Sequence, residues 1–391
     1  MEGETDTPVV RGPMQDFSAR TGLDPVSPHP HRYLWTDAFA VCAYLQIFRQ
    51  SGDARCRDLA LRLVDQVHHT LGRHREDDLR RGWISGLSDG EGWLHPTAGG
   101  LRIGKSLPER RPDEPPDERR EWDQDGQYYH YLTRWMHALN RVAAATRDPV
   151  YLRWALELAR AAHAAFTYRP PSGGQKRMYW KMSIDLSRPL VRSMGQHDAL
   201  DGYVTYCVLR AAAVSRGAGP SVPDLRREIQ DMTDICRGGA WVTEDPLGIG
   251  GLLSDAAWIS RLMVPGNERY LNLLEDVLEA ALTGLGIFSE SGCLQLPAGH
   301  RLAFRELGLA IGLAGVERML AGLREDPERY GRGSTVPHQL RSLTAYLPLG
   351  RTILQFWLDG KHREERTWTD HREINLVMLV TALAPGDYLS V

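Results

Sequence analysis

Residues 146–166 read TRDPVYLRWALELARAAHAAF. A short turn carrying an aspartate is followed by about five helical turns whose apolar residues return at three- and four-residue spacing, with arginines and acids on the opposite face. Such a helix has one wet side. The same pattern of Asp or Asn turn and long one-sided helix recurs in SGDARCRDLALRLVDQVHHTLG (51–72) and PGNERYLNLLEDVLEAALTGL (265–285), so the chain is built on a helical repeat.

The helix ahead of each turn has another character. LWTDAFAVCAYLQIF, YYHYLTRWMHALNRVAAA and LSDAAWISRLM carry aromatic or small apolar residues around most of their circumference, which is the composition of a helix buried on most sides. Six such helices are expected, beginning near Tyr33, Asp123, Asp198, Gly250, Leu302 and Asp370. Wetter helices are expected between them, near Ala54, Val150, Ser221, Glu268 and His338. Strand-like alternation is scarce outside WISGL and GLRIG. The pattern predicts an all-α fold, an (α/α)6 barrel of six hairpins whose last outer helix is missing or replaced, with minor β structure in rim loops. An open α-solenoid is the alternative. Residues 1–30 read as an N-terminal extension and 31–391 as a single barrel domain.

Composition narrows the function. The chain has 391 residues, 42% hydrophobic and 25% charged, with a net charge of -3. No basic field is present to hold nucleic acid or an anionic membrane. The start, MEGETDTPVV, lacks the basic and apolar runs of a secretory signal, and INLVMLVTALAPG is too short to span a bilayer. The five cysteines are scattered without a C-x-x-C pair, which predicts no metal site, no disulfide framework and a reducing, cytoplasmic setting. GIGG near 248 lacks the spacing of a dinucleotide fingerprint and RIGKSLPER is not a P-loop, so no cofactor is expected.

Connections from outer to inner helices are long, at about 73–121, 169–197, 237–248, 285–301 and 359–369. Long loops in a compact fold are usually functional, so the N-terminal ends of the inner helices are the expected site. The polar residues there are Asp37, Asp123 and Asp125, then His197, Asp198 and Asp201, then Asp255, Arg305 and Glu306, and last Asp370, His371 and Glu373. Helix capping explains Asp37, Asp255 and the Asp370-x-x-Glu373 pair, and equally Asp123 and Asp198. It explains less well Asp125 before Gly126, Asp201 four residues after His197, and Glu306 inside an apolar run where a carboxylate needs a partner or a raised pKa. Aromatics crowd the same loops, including Trp93, Trp122, Tyr128 and Trp180. Such rings stack on sugar faces while groups such as Gln127 bond hydroxyls. Lys105, Lys181 and Arg188 could meet an anionic group, or be solvated surface charge.

The six inner helices, acidic rim and aromatic loops resemble the six-hairpin glycosidase superfamily over about residues 31–391. In relatives such as the unsaturated glucuronyl hydrolases, aspartates at inner-helix entrances carry acid–base chemistry, which the resemblance places on Asp125 and Asp201. N-acylglucosamine 2-epimerases share the barrel but depend on histidines, a part open here to His130, His197 and His371. The expected function is a glycoside hydrolase acting on a small-molecule or oligosaccharide substrate, with Glu306 as acid and Asp125 or Asp201 as base. The alternatives are a sugar isomerase or epimerase using inner-helix histidines, and a non-catalytic sugar-binding barrel. The loop WISGLSDGEGW (83–93) is expected to wall the pocket, with Asp89, Glu91 or Trp93 in reach of ligand; a surface flap is the alternative.

Overall fold

The computed structural model describes residues 7–217, 223–263, 268–331 and 333–391, which fall into two compact units, 18–239 and 240–391 joined by the described residues up to Phe17. The chain is all-α with minor antiparallel β. Helix α1 (Thr7–Arg20) runs across the first boundary. The 18–239 unit then contains α2 (Leu34–Ser51), α3 (Ala54–Leu71), the short α4 (Asp89–Leu94) and α5 (Glu118–Glu121), and β1 (Gln127–Tyr128). It continues with α6 (Tyr129–Thr146), α7 (Pro149–Phe166), β2 (Thr167–Tyr168), β3 (Arg177–Met178), β4 (Lys181–Met182), β5 (Pro189–Val191), α8 (Asp198–Ser215) and α9 (Arg226–Cys236). The second unit holds α10 (Pro246–Leu262), α11 (Glu268–Glu290), α12 (Ala303–Glu325), α13 (Val336–Leu343), α14 (Leu347–Leu358), α15 (Arg366–Thr369) and α16 (Arg372–Leu383).

The expected inner helices are α2, α6 and α8 in one unit and α10, α12 and α16 in the other. Within each unit they pack in a row, α2 on α6 on α8 and α10 on α12 on α16. The outer partners α3, α7 and α9 back the first row, and α11, α13 and α14 back the second. Every residue of α2 from Leu34 to Ile47 is buried. In α3 only the stripe Cys56, Leu59, Ala60, Leu63, Val64, Val67, His68 and Leu71 is buried. This is the contrast that the two kinds of apolar pattern impose.

Turn chemistry closes the hairpins. Gly52 takes φ 71 after α2, and the Asp53 side chain accepts the Arg55 N–H to start α3. In the TRDP turn, Arg147 adopts φ 61, Asp148 caps Val150 N, and Pro149 occupies the first helical turn where its missing N–H costs nothing. The matching turn at 264–267 and the expected helix start near Ser221 lie outside the described residues; their helices are α11 and α9.

Two helix starts and the placement of the strands differ from the sequence reading. The second inner helix starts at Tyr129 rather than near Asp123, because Gln127 and Tyr128 are drawn into β1, which pairs antiparallel with β4. Gly126 at φ 146 permits this: a Cβ there would lie 2.7 Å from the Met182 carbonyl. The helix expected near Gly250 starts at Pro246, capped by Asp245, so Ser254 and Asp255 lie inside α10 and are not its N-cap. The GIGG run serves packing, since a Cβ on Gly250 would meet the Gly308 carbonyl at 2.1 Å where α10 crosses α12. Strands form at 127–128, 167–168, 177–178, 181–182 and 189–191, not in WISGL or GLRIG.

Candidate functional site

The first turns of α6 and α8 meet in a cluster of ionisable groups. His130 and Arg134 lie one turn apart on α6, and Asp198 and Asp201 three residues apart on α8, so each pair shares a helix face. His130 Nδ1 faces Asp198 Oδ1 at 3.6 Å, and Arg134 Nη2 donates to Asp201 Oδ1 at 2.7 Å. His130 Nδ1 and Asp198 Oδ2 are both buried without a hydrogen-bond partner. Orphaned buried polar atoms are uncommon and costly. Two on neighbouring side chains of one cluster mark a place where a proton or a ligand belongs.

The environment sets their protonation. Burial first, then the neighbouring Asp201 charge, pushes Asp198 up to about 8. Burial lowers His130 to about 4, opposed by Asp201 and aided by Arg134. Near neutral pH the pair is therefore a protonated acid beside a neutral imidazole. Gly195 lies against the Asp198 carboxyl, where a Cβ would come within 2.5 Å of an oxygen. His130 keeps 29% of its side chain exposed, so the pair is reachable.

Aromatic rings frame the histidine. The Trp180 ring lies nearly parallel to it at 6.4 Å, and the buried Tyr128 at 5.5 Å. Tyr131 meets its edge at 4.9 Å, and Tyr131 and Tyr33 share a 2.7 Å hydroxyl contact. Trp180 also packs against Trp122 at 4.8 Å. These two tryptophans line a cavity of about 770 Å³ with Arg110, Glu121, Arg188 and Arg192.

Of the residues singled out from sequence, His130, Asp201, Tyr128, Trp122 and Trp180 gather here, and Arg188 lines the adjoining cavity. His197 precedes α8 as its N-cap residue. Asp198, set aside as a cap, and Arg134, not singled out at all, belong to the cluster. The available signals were HDALD, with two acids three apart on one helix, and the four-residue step from His130 to Arg134.

Other expectations are corrected. Asp125 is fully buried and committed. Its Oδ1 accepts the N–H groups of Gly104 and Gly126 at 3.0 Å, and its Oδ2 accepts from Arg102 at 3.0 Å and Arg75 at 3.3 Å. It ties the 73–106 loop to the β1 turn and has no face for a substrate. Gln127 does similar work, donating to the Gly99 and Ile184 carbonyls and accepting from Leu101 N. Lys181 is no anion receptor: fully buried, it donates to the Glu121 and Gln124 carbonyls and to Glu121 Oε2 at 3.3 Å. Asp37 is buried against Arg32 and accepts the Tyr33 N–H, so it is a helix-start group with a pKa raised by burial to about 6.

In the second unit, Glu306 is no free acid. Its oxygens accept from Arg301 at 2.8 and 2.6 Å and from the Trp357 indole at 2.8 Å. Asp255 is buried inside α10. His371 is the residue before α16 and packs edge-on to Phe304, and Glu373 lies in the first turn. The 83–93 loop also departs from expectation. Trp93 packs, tilted, on His69 of α3 with ring centres 3.8 Å apart, Trp154 of α7 donates to the Leu94 carbonyl, and Glu91 completes a capping box with Ser88. Asp89 is spent on Arg73. The loop packs on the outer helices α3 and α7 through these contacts.

Among the described residues, no group of three or more His, Cys, Asp or Glu could hold a metal ion, and no helix is long and apolar enough to cross a membrane.

No family model matches the chain, and no curated protein matches it. Among solved structures, it is similar to a sugar epimerase from a ruminal bacterium, with 11% identity and a TM-score of 0.42 over 81% of this chain and 75% of that one. It is similar to cellobiose 2-epimerase from Spirochaeta thermophila (15%, 0.44, over 89% and 98%) and from Bacillus thermoamylovorans (9%, 0.45, over 88% and 87%).

Proposed function

We propose that this protein is a carbohydrate-active enzyme of the isomerase or epimerase kind, moving a proton at the carbon beside a sugar's carbonyl. The observation that carries the reading is the His130–Asp198 pair: a neutral base and a protonated acid, with Nδ1 3.6 Å from Oδ1 and a buried histidine nitrogen that no hydrogen bond answers. Trp180 and Tyr128 beside it supply flat apolar faces for a sugar.

In the proposed reaction, His130 takes the proton from the carbon and the Asp198 carboxyl gives its proton to the carbonyl oxygen. An enediol forms without a free carbanion. Return of a proton to carbon, and of the hydroxyl proton to Asp198, completes the exchange. Arg134 holds Asp201 at the foot of the pair, which fixes the field both groups feel. General acid–base catalysis of this sort is worth about 10²–10⁴-fold per group. The base form of His130 needs a pH above about 4 and the acid form of Asp198 a pH below about 8, so turnover should rise through the first and fall through the second.

Hydrolysis is the second reading, favoured by Asp198 and Asp201 standing three residues apart with unlike partners. It no longer has Asp125 or Glu306 to call on. The two readings separate in heavy water. A panel of aldoses and aldose-terminated disaccharides is incubated with enzyme and examined by NMR. The proposal expects deuterium on carbon in an uncleaved sugar, and a drop of about 10²-fold or more in His130→Asn. Cleavage without carbon exchange, persisting in His130→Asn, would assign the site to hydrolysis instead.

A further inference from the structure

The cavity beyond Trp180 has a charge that its own surroundings do not cancel. Three guanidiniums, of Arg110, Arg188 and Arg192, and one carboxylate, of Glu121, line it. The carboxylate is already matched: Arg110 Nε donates to Glu121 Oε1, and Lys181 stands 3.3 Å from Oε2. Arg110 is further committed to the Glu114 and Leu190 carbonyls. Arg188 is held by a neutral acceptor, the Arg110 carbonyl. Arg192, exposed on the strand end after β5, has no carboxylate partner among the described residues. Two positive charges thus face a concave surface that also offers the Trp122 and Trp180 rings.

A contrast lies on the same loop system, where Arg80 is met by Asp78, Glu109 and Asp185. Cavity, aromatic wall and uncompensated guanidiniums together describe a receptor for a sugar that carries a negative group, since guanidinium forks match carboxylate and phosphate oxygens.

We propose that this cavity binds an anionic substituent of the sugar, a carboxylate or a phosphate, with Arg188 and Arg192 as its counter-charges and Trp122 and Trp180 against the ring. The inference deepens the sugar reading and rests on it for the ligand's class. Trp180 is shared by the cavity wall and the His130 stack, which puts the charged end and the reacting carbon beside one ring.

The test is calorimetric binding to the full chain at low salt, with D-glucuronate, D-glucose 6-phosphate, inorganic phosphate and D-glucose as probes. Glucuronate or glucose 6-phosphate should bind at least about tenfold tighter than glucose, and Arg192→Gln should erase most of that margin, as expected for loss of a charge-assisted bond. Which of the two wins identifies the group, and competition by inorganic phosphate would support a phosphate site. Arg192 is exposed, so this variant should fold; Arg192→Glu, which reverses the charge, should drive anionic probes off altogether. Glucose binding as tightly as the anionic sugars, an unchanged preference in Arg192→Gln, or no binding of any probe would each overturn the proposal. Deuterium exchange is scored separately. Anionic binding without exchange would fell the epimerase reading alone, and exchange confined to neutral sugars would fell this one alone.

Discussion

Replacing Asp125 by Asn changes one oxygen for an amide and removes one charge. The carboxylate is fully buried and its four bonds divide evenly, two to the backbone of Gly104 and Gly126 and two to Arg102 and Arg75. The Asn oxygen can keep the backbone pair, but its NH₂ must then face two guanidiniums that can only donate. Bonds to charged groups are each worth about 1.5–3 kcal/mol. Both arginines retain other acceptors, Arg102 the Arg73 and Thr70 carbonyls and Arg75 the Lys105 and Ser106 carbonyls with Asp77. The net loss should therefore fall at about 2–4 kcal/mol, below the full cost of breaking a buried ion pair. Urea denaturation of wild type and Asp125→Asn, extrapolated linearly to water, measures it. At saturating sugar and a temperature where both are folded, turnover should be nearly equal. A stability change under about 1 kcal/mol together with lost turnover would refute the structural assignment, because a group so bonded cannot be deleted cheaply.

Glu306→Gln should likewise destabilise, by roughly 2–4 kcal/mol for a buried Arg301 left with a neutral partner, while the folded fraction keeps its activity; urea melts and a rate assay on the same sample decide. Trp93→Ala should leave sugar affinity unchanged by calorimetry, since that ring covers His69 on an outer helix. The pH dependence of stability carries a definite sign. Asp198, with its folded pKa raised from 3.8 to about 8, contributes stability that is complete below 3.8 and is lost as pH rises through about 8. One such group gives a slope of about 1.4 kcal/mol per pH unit between those limits. His130, depressed to about 4, adds nothing to the slope above 6.5, so denaturation midpoints at pH 7 and 9 should drop for wild type and hold better for Asp198→Asn.

What the sequence disclosed and what it withheld separate along a physical line. Helix type, order and burial were legible because apolar spacing is local: LWTDAFAVCAYLQIF declares itself buried, and ALELARAAHAAF half-wet, without reference to any other segment. At Gly126 a side chain would meet the backbone of β4, a contact set by a segment more than fifty residues away. The role of a carboxylate was not legible, because it depends on partners remote in sequence. Asp125 is spent on arginines 50 and 23 residues away. Asp198 looks like a common helix cap until α6 brings His130 to it across 68 positions. Glu306 is a different lesson, since its partner Arg301 is only five residues upstream. A residue just ahead of a helix can fold back onto the first turn, which neither helical spacing nor adjacency to Arg305 reveals. The same reasoning explains why burial alone was a poor guide to reactivity. Asp125, Glu306 and Asp198 are all buried, but the first two have every oxygen answered by a donor and the third does not. It is a carboxyl with one unanswered oxygen, its other oxygen 3.6 Å from an unanswered imidazole nitrogen, that leaves a proton free to move.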